Sequence, residues 1–126
     1  MGDWLCEINA VTLVTTDMAR SWRFYGDLGF SVHYGGPDEE FSSLCAGSSF
    51  LNLQLVEGWK PPSQVWGRVI LWVRDVDEVH HRAVAAGWEP SSLPSDAPWG
   101  ERYFHIADPD GHELSFARRL GPGPRA

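Results

Sequence analysis

Two stretches decide how this chain folds: Ala10-Val11-Thr12-Leu13-Val14-Thr15-Thr16-Asp17 and Arg68-Val69-Ile70-Leu71-Trp72-Val73-Arg74-Asp75. Set one above the other, at an offset of 58, Val11 meets Val69, Leu13 meets Leu71 and Asp17 meets Asp75. Twelve residues after each aspartate comes a glycine followed by an aromatic, Gly29-Phe30 and Gly87-Trp88. A repeat of this kind must be found before any single element is assigned, because it fixes the architecture. Each copy reads as strand, capping aspartate, one helix, glycine stop and next strand.

Working outward, Met18, Trp22, Tyr25 and Leu28 recur at helical spacing in the first copy, and Val76, Val79, Ala83 and Ala86 in the second. Trp22 is read as part of the core stripe. Asp75 with Glu78 three residues on has the pattern of a capping box. Gly29 and Gly87 suit the left-handed backbone that ends a helix. After each helix come three strand signals: around residues 31–34, 41–46 and 50–56 in the first copy, and 89–93, 102–107 and 113–118 in the second. Asp108-Pro109-Asp110-Gly111 forms the turn before the last strand. The expected domain is therefore one, 1–126, of class α+β. It is made of two tandem βαβββ modules, 5–57 and 66–118, joined by a linker at 58–65 with Gly58, Pro61 and Pro62. The tail from Gly121 is expected to fray.

Composition excludes several classes. With 43% hydrophobic residues the chain can bury a core, so disorder is excluded. The longest apolar run, Val69 to Val73, is far short of the roughly 20 residues a membrane span needs, and no basic-then-apolar leader opens the chain. A net charge of −7 disfavours nucleic acid and anionic lipid and suits cations. Cys6 and Cys45 form no framework, which is the usage of reduced thiols in a cytoplasmic protein. Seven tryptophans exceed what a core this size uses, leaving some for a binding surface.

The repeat, with Phe24-Tyr25, Leu28-Gly29-Phe30, Val73-Arg74-Asp75-Val76-Asp77 and Asp108-Pro109-Asp110-Gly111, resembles the vicinal oxygen chelate superfamily of glyoxalases, bleomycin-resistance proteins and dioxygenases. The stretch Pro98-Trp99-Gly100-Glu101-Arg102, followed by Asp108-Pro109, resembles the bleomycin-resistance branch most. The resemblance implies a curved mixed sheet rolled into a cup, helices outside it and a ligand inside. It also implies a divalent metal held by four side chains, one on the first and one on the last strand of each unit. Carried over by position, those four are Ala10, Asn52, Arg68 and Ser115. Methyl, amide, guanidinium and hydroxyl groups are not the carboxylate and imidazole ligands such a metal needs, so no metal and no other cofactor is expected.

Alternation along the strands turns the carried-over positions into a candidate ligand site, since neighbouring side chains point to opposite faces. Phe50, Asn52 and Gln54 face the cup on one strand, and Arg68, Ile70 and Trp72 on another. Tyr103, His105, Glu113, Ser115 and Ala117 complete the inward set. Trp66 and Trp99, with Trp59 and Trp88, sit in or beside the loops that would rim it. His105 reads as a hydrogen-bonding pocket residue, or as a general base were a nucleophile beside it. His80 and His81, about 100° apart on a helix, read as surface, and His112-Glu113 is no H-E-x-x-H motif. Asp38-Glu39-Glu40 reads as a solvated hairpin or a cation-attracting lip. No catalytic residue is assigned. The expected function is metal-free binding and sequestration of a large aromatic or cationic natural product of bleomycin or enediyne type. The expected assembly is a homodimer with shared clefts. The alternatives are a metal-dependent glyoxalase, dioxygenase or thiol transferase of the same superfamily, and metal-independent catalysis on His105, Tyr103 and Glu113.

Overall fold

A computed structural model describes residues 4–121 of the chain. The first unit contains β1 (Ala10–Thr15), α1 (Met18–Asp27), β2 (Ser31–Tyr34), β3 (Phe41–Ala46) and β4 (Ser49–Leu55). The second contains β5 (Arg68–Trp72), α2 (Val76–Ala85), β6 (Ser95–Ala97), β7 (Glu101–Ala107) and β8 (Glu113–Arg119). Each unit forms one four-stranded mixed sheet, in the orders β1-β4-β3-β2 and β5-β8-β7-β6. The two βαβββ modules are thus present, and β1 and β5 are each paired on one side only.

The helices start and stop where the repeat placed them. The Asp17 and Asp75 side chains accept from the amides of Arg20 and Glu78 at 3.1 and 3.0 Å, satisfying N–H groups that the helix itself cannot. The return half of the capping box is absent: the Glu78 carboxylate pairs with Arg82 one turn on, at 3.0 Å. Gly29 and Gly87 adopt φ values of 112° and 94°, which a side chain would strain. On α1 the buried stripe is Met18, Ser21, Phe24 and Tyr25, continued by Leu28. Trp22 is only half-buried beside it, with its indole N–H enclosed and unpartnered, so Phe24 fills the core position instead.

One strand lies elsewhere than expected. The segment 89–93 runs beside β7 without forming a ladder: Ser91 N–H reaches His105 O, and the Ser92 hydroxyl accepts from His105 N–H. Pro90 and Pro94 cannot donate to a ladder, and regular pairing begins only at Ser95 opposite Tyr103. The expected fraying of the tail beyond Gly121 lies outside the described residues.

The two units share one core. Phe24 of α1 meets Trp88 edge-on at 5.1 Å, Tyr25 meets Phe30 at 5.3 Å, and Phe30 reaches Phe116 of β8 at 6.4 Å. Phe116 in turn lies on Phe104 of β7. Trp88 is therefore packed, half-buried, against the core, its indole N–H donated to Asp27, and it is not part of any rim. His80 is half-buried, edge-on to Phe104, while His81 is exposed.

A polar clasp joins the units beside this aromatic row. The turn Asp108–Gly111 of the second unit inserts both carboxylates into the first. Asp110 accepts from the amide and hydroxyl of Thr16, from the Ser21 hydroxyl and from Arg20, at 2.7–3.1 Å. Asp108 accepts from the Tyr25 hydroxyl at 2.6 Å and from the amides of Asp110 and His112. The shifts of the two carboxyls run in opposite directions. Burial lifts Asp108 above the ordinary carboxylate range despite its donors. Burial also pushes Asp110 up, but the surrounding hydroxyls and the Thr16 amide outweigh it and hold the group low. Asp110, depressed in the fold, stabilises above its ordinary range, and that stability is lost as pH falls through it. Asp110→Ala should strand the donors of Thr16 and Ser21 and cost about 2 kcal/mol, a fall of roughly 8 °C in Tm. Thermal unfolding followed by far-UV circular dichroism checks this. A change under about 2 °C would mean the clasp does not hold the units together.

Candidate functional site

The carried-over register is present in the ladders. Ala10 lies opposite Phe50 and Arg68 opposite Glu113, with Thr12 opposite Asn52 and Ile70 opposite Ser115. Side chains alternate as expected: Leu51 and Leu53 are buried against the helices, while Phe50, Asn52 and Gln54 are half-buried on the open face. On β7, Phe104 and Ile106 are buried, and Tyr103 and His105 lie on the open face.

The predicted site residues divide between three places. Phe50, Trp66, Arg68 and Trp72 line a crevice of about 750 Å³, together with Ala10 and Ile70. It lies where β1 and β5 come near each other, and Cys45 opens onto it. On the open face of the second sheet, Arg68, Tyr103, His105, Glu113 and Ser115 gather, with Trp99 stacked at 19° on Tyr103 and Tyr103 in turn 5.0 Å from His105. Asn52 and Gln54 remain on the first sheet. Asn52 donates to the Thr12 hydroxyl at 3.2 Å and Gln54 to the Glu40 carbonyl at 3.3 Å.

The polar cluster on the second sheet has Arg68 at its centre. Its guanidinium contacts Glu113 at 3.3 Å, His105 Nδ1 at 3.0 Å and the Ser115 hydroxyl at 3.3 Å. Because Arg can only donate, His105 Nδ1 must accept, and its proton sits on Nε2. The Ser115 hydroxyl lies 2.7 Å from the same nitrogen. Burial first, and the Arg68 charge second, lower the His105 pKa against the pull of Glu113, so the ring is neutral below its ordinary range.

A divalent metal does not fit this arrangement. Of its four implied ligands, Arg68 brings a positive charge to the place the ion would take. Ser115 is already bonded to His105, and Ala10 offers no donor atom. Among the described residues no three His, Cys, Asp or Glu side chains gather at a point that could hold an ion.

His112 is the residue that sequence reasoning passed over. It is buried, donates from Nε2 to the Val14 carbonyl at 2.8 Å and accepts the Trp66 indole N–H on Nδ1 at 3.1 Å. Trp59 lies over its ring at 5.2 Å. Trp59 and Trp66, expected on a rim, are thus tied to the clasp through one imidazole. The only signal for this was the position of His112 immediately after the Asp108–Gly111 turn. Among the described residues no helix is long and apolar enough to cross a membrane.

Comparison with known proteins accords with this architecture. The family model of the Glyoxalase/Bleomycin resistance protein/Dioxygenase superfamily matches residues 7–116. TioX from Micromonospora sp. ML1 is 28% identical with a TM-score of 0.73, over 91% of this chain and all of that one. A glyoxalase/bleomycin resistance protein/dioxygenase from Nocardioides is 24% identical with a TM-score of 0.74, over 99% and 91%. Lactoylglutathione lyase from Agrobacterium tumefaciens shares the fold at 19% identity and a TM-score of 0.72, over 96% and 99%. Uncharacterized proteins of Mycobacterium tuberculosis and Mycobacterium bovis are 32% identical over 81 residues, 64% of this chain, which spans about half or less of their length. With its repeat, its ladders and a match over nearly its whole length, the chain belongs to the Glyoxalase/Bleomycin resistance protein/Dioxygenase superfamily.

Proposed function

We propose that the chain sequesters a large aromatic or cationic natural product of bleomycin or enediyne type, without metal or other cofactor, as the bleomycin-resistance branch does. The observation that carries this reading is the open aromatic surface of the second unit. Trp66, Ile70, Trp72 and Trp99 are each more than half exposed, and they lie along one crevice and one sheet face. Exposed apolar surface of this size is costly in water and marks a binding region. Binding needs shape, aromatic faces and a few hydrogen bonds, and the polar cluster around Arg68 supplies the last. Fold alone does not choose the activity, since a lyase and proteins of other kinds share it.

We also place a second copy of the chain in the functional unit. Trp4, Leu5 and Ile8 are exposed ahead of the point where the Asn9 carbonyl accepts from Phe50, and each sheet keeps one face open. A homodimer with shared clefts would cover these surfaces, each arm reaching over its partner. A second reading, metal-independent catalysis, is favoured by one observation: the 2.7 Å contact of the Ser115 hydroxyl with neutral His105.

Three outcomes follow. In a thermal-shift screen of DNA-damaging metabolites, a bound compound should raise the midpoint and perturb tryptophan fluorescence. Trp72→Ala should then weaken it about thirtyfold, roughly 2 kcal/mol, while His105→Ala costs about 1 kcal/mol and Asn52→Ala and Gln54→Ala, on the first sheet, cost less. Normal binding by Trp72→Ala, combined with a turnover that His105→Gln abolishes, would replace sequestration by catalysis. Sedimentation at micromolar concentration should give a dimer; a monomer removes the shared clefts. Arg68→His should acquire no metal-dependent turnover, because Ala10, Asn52 and Ser115 still lack ligand atoms of the required kind. Such turnover would show the carried-over positions to be misplaced.

A further inference from the structure

The arginines among the described residues of this acidic chain fall into two groups. Arg20, Arg68, Arg82 and Arg102 are each in an ion pair, and Arg23 lies over the Trp88 ring. Arg74, Arg118 and Arg119 have no ion pair among the described residues. All three are exposed, and all three line one open groove of about 450 Å³ at the end of β5 and β8, together with Trp72 and Val73. The Arg119 guanidinium lies 5.7 Å over the Trp72 ring. Nearby acids are few or occupied. Asp77 and Asp96 are both taken by Arg102 at 2.8–3.1 Å, and Glu101, opposite Arg119 in the ladder, accepts the Trp99 indole N–H.

Arg119 shares the open face with Trp72 and Arg74 lines the same groove from the end of β5, whereas Arg118, next to Arg119 on β8, points to the other face, where its charge reaches Asp77. Guanidinium forks match carboxylate and phosphate oxygens, and they stack on aromatic planes as Arg119 does here. The overall charge of −7 therefore does not describe this point of the surface, where Arg119 lies over Trp72 and Arg74 lines the same groove. We infer that this groove is an anion subsite: it takes the carboxylate, sulfate or phosphate group of an aromatic ligand whose ring lies on Trp72. The inference rests on the ligand-binding reading above and narrows it from aromatic or cationic to aromatic and anionic. A ligand cation at this groove would meet the charges of Arg119 and Arg74 instead of being paired by them.

The test uses full-length protein and five probes followed by tryptophan fluorescence: 2-naphthol, 2-naphthoate, 2-naphthyl phosphate, 2-naphthyltrimethylammonium and inorganic phosphate. The anionic naphthyl probes should bind at least tenfold more tightly than 2-naphthol, and inorganic phosphate should compete with them. Their affinity should fall as salt rises. The ratio of naphthoate to naphthyl phosphate tells whether the groove prefers a carboxylate or a phosphate. Arg74→Gln/Arg119→Gln, at exposed positions, should fold normally and reduce the affinity of the anionic probes to parity with that of 2-naphthol. Equal binding of neutral, cationic and anionic probes, all lost in Trp72→Ala, would overturn the anion subsite and leave the aromatic site standing. No binding of any naphthyl probe, with no effect of Trp72→Ala, would remove both. A double variant that dissociates a dimer without changing naphthyl phosphate affinity would make the groove the seat of the partner's acidic loop, and would also overturn the subsite.

Discussion

The fold depends on two carboxylates crossing from one unit into the other. The apolar side chains of the two units form one shared core, Phe24 packing on Trp88 and Phe30 on Phe116, so each half of this chain buries its apolar surface against the other. The apolar row from Phe24 through Phe30 to Phe116 supplies most of the attraction, but it is non-directional. Asp110 and Asp108 give direction, since four donors around Thr16 and Ser21 and one from Tyr25 can be met in one arrangement only. The cost of this device is visible in Asp108, which burial lifts, and in the Tyr25 phenol, which burial and the adjacent carboxyl push well above its ordinary range. His112, immediately after the clasp, carries the constraint to Val14 at one side and to Trp66 at the other. The mouth of the crevice is therefore set by the same contacts that hold the units together.

Arg68 shows what replaces a metal when the scaffold stays. A guanidinium is a cation of fixed charge that needs oxygen and nitrogen acceptors around it, as an ion does, and Glu113, Ser115 and His105 surround it accordingly. The cluster is therefore electrostatically self-consistent. It differs from a metal centre in having no open coordination position at which a substrate oxygen could be polarised. What it can offer a ligand is hydrogen bonding and orientation, together with a neutral imidazole whose Nε2–H is fixed by the bond at Nδ1.

The parts of this architecture that repeat locally were legible in the sequence. The aspartate caps, the glycine stops, the alternation of β4 and β7 and the offset between the two ladders follow from periods of two and 3.6 residues and from a 58-residue self-match. What was not legible depends on partners far apart in the chain. His112 meets Val14 across 98 residues, and Trp88 meets Asp27 across 61. No local pattern marks such pairs, so His112 read as a residue without a role and Trp88 as part of a rim. The strand expected at 89–93 failed for a local reason that was available, Pro90 within it and Pro94 directly after it. Alternation separated Phe50, Asn52, Gln54, Tyr103 and His105 from the buried Leu51, Leu53, Phe104 and Ile106, but Ser115 and Ala117 are buried, and it could not say which residues would share a recess, because that depends on how two sheets are set against each other.

The tryptophans bring these strands of argument together. Trp88 is consumed by the core, Trp59 and Trp66 by His112, and Trp99 lies on Tyr103 with its N–H on Glu101. Each is anchored at one edge, which removes rotamer freedom before any ligand arrives and so lowers the entropy lost on binding. Trp72 differs in where its freedom is restrained: a guanidinium lies over its face while more than half of the residue remains exposed. A ring held by an arginine on an exposed sheet face contributes little to stability, because neither partner is withdrawn from water. The same pair, once a planar ligand excludes that water, gains the full strength of stacking and charge. The local chemistry around Trp72 is thus weak in the free protein and strong in a complex, which is the behaviour a binding surface requires and a structural contact does not.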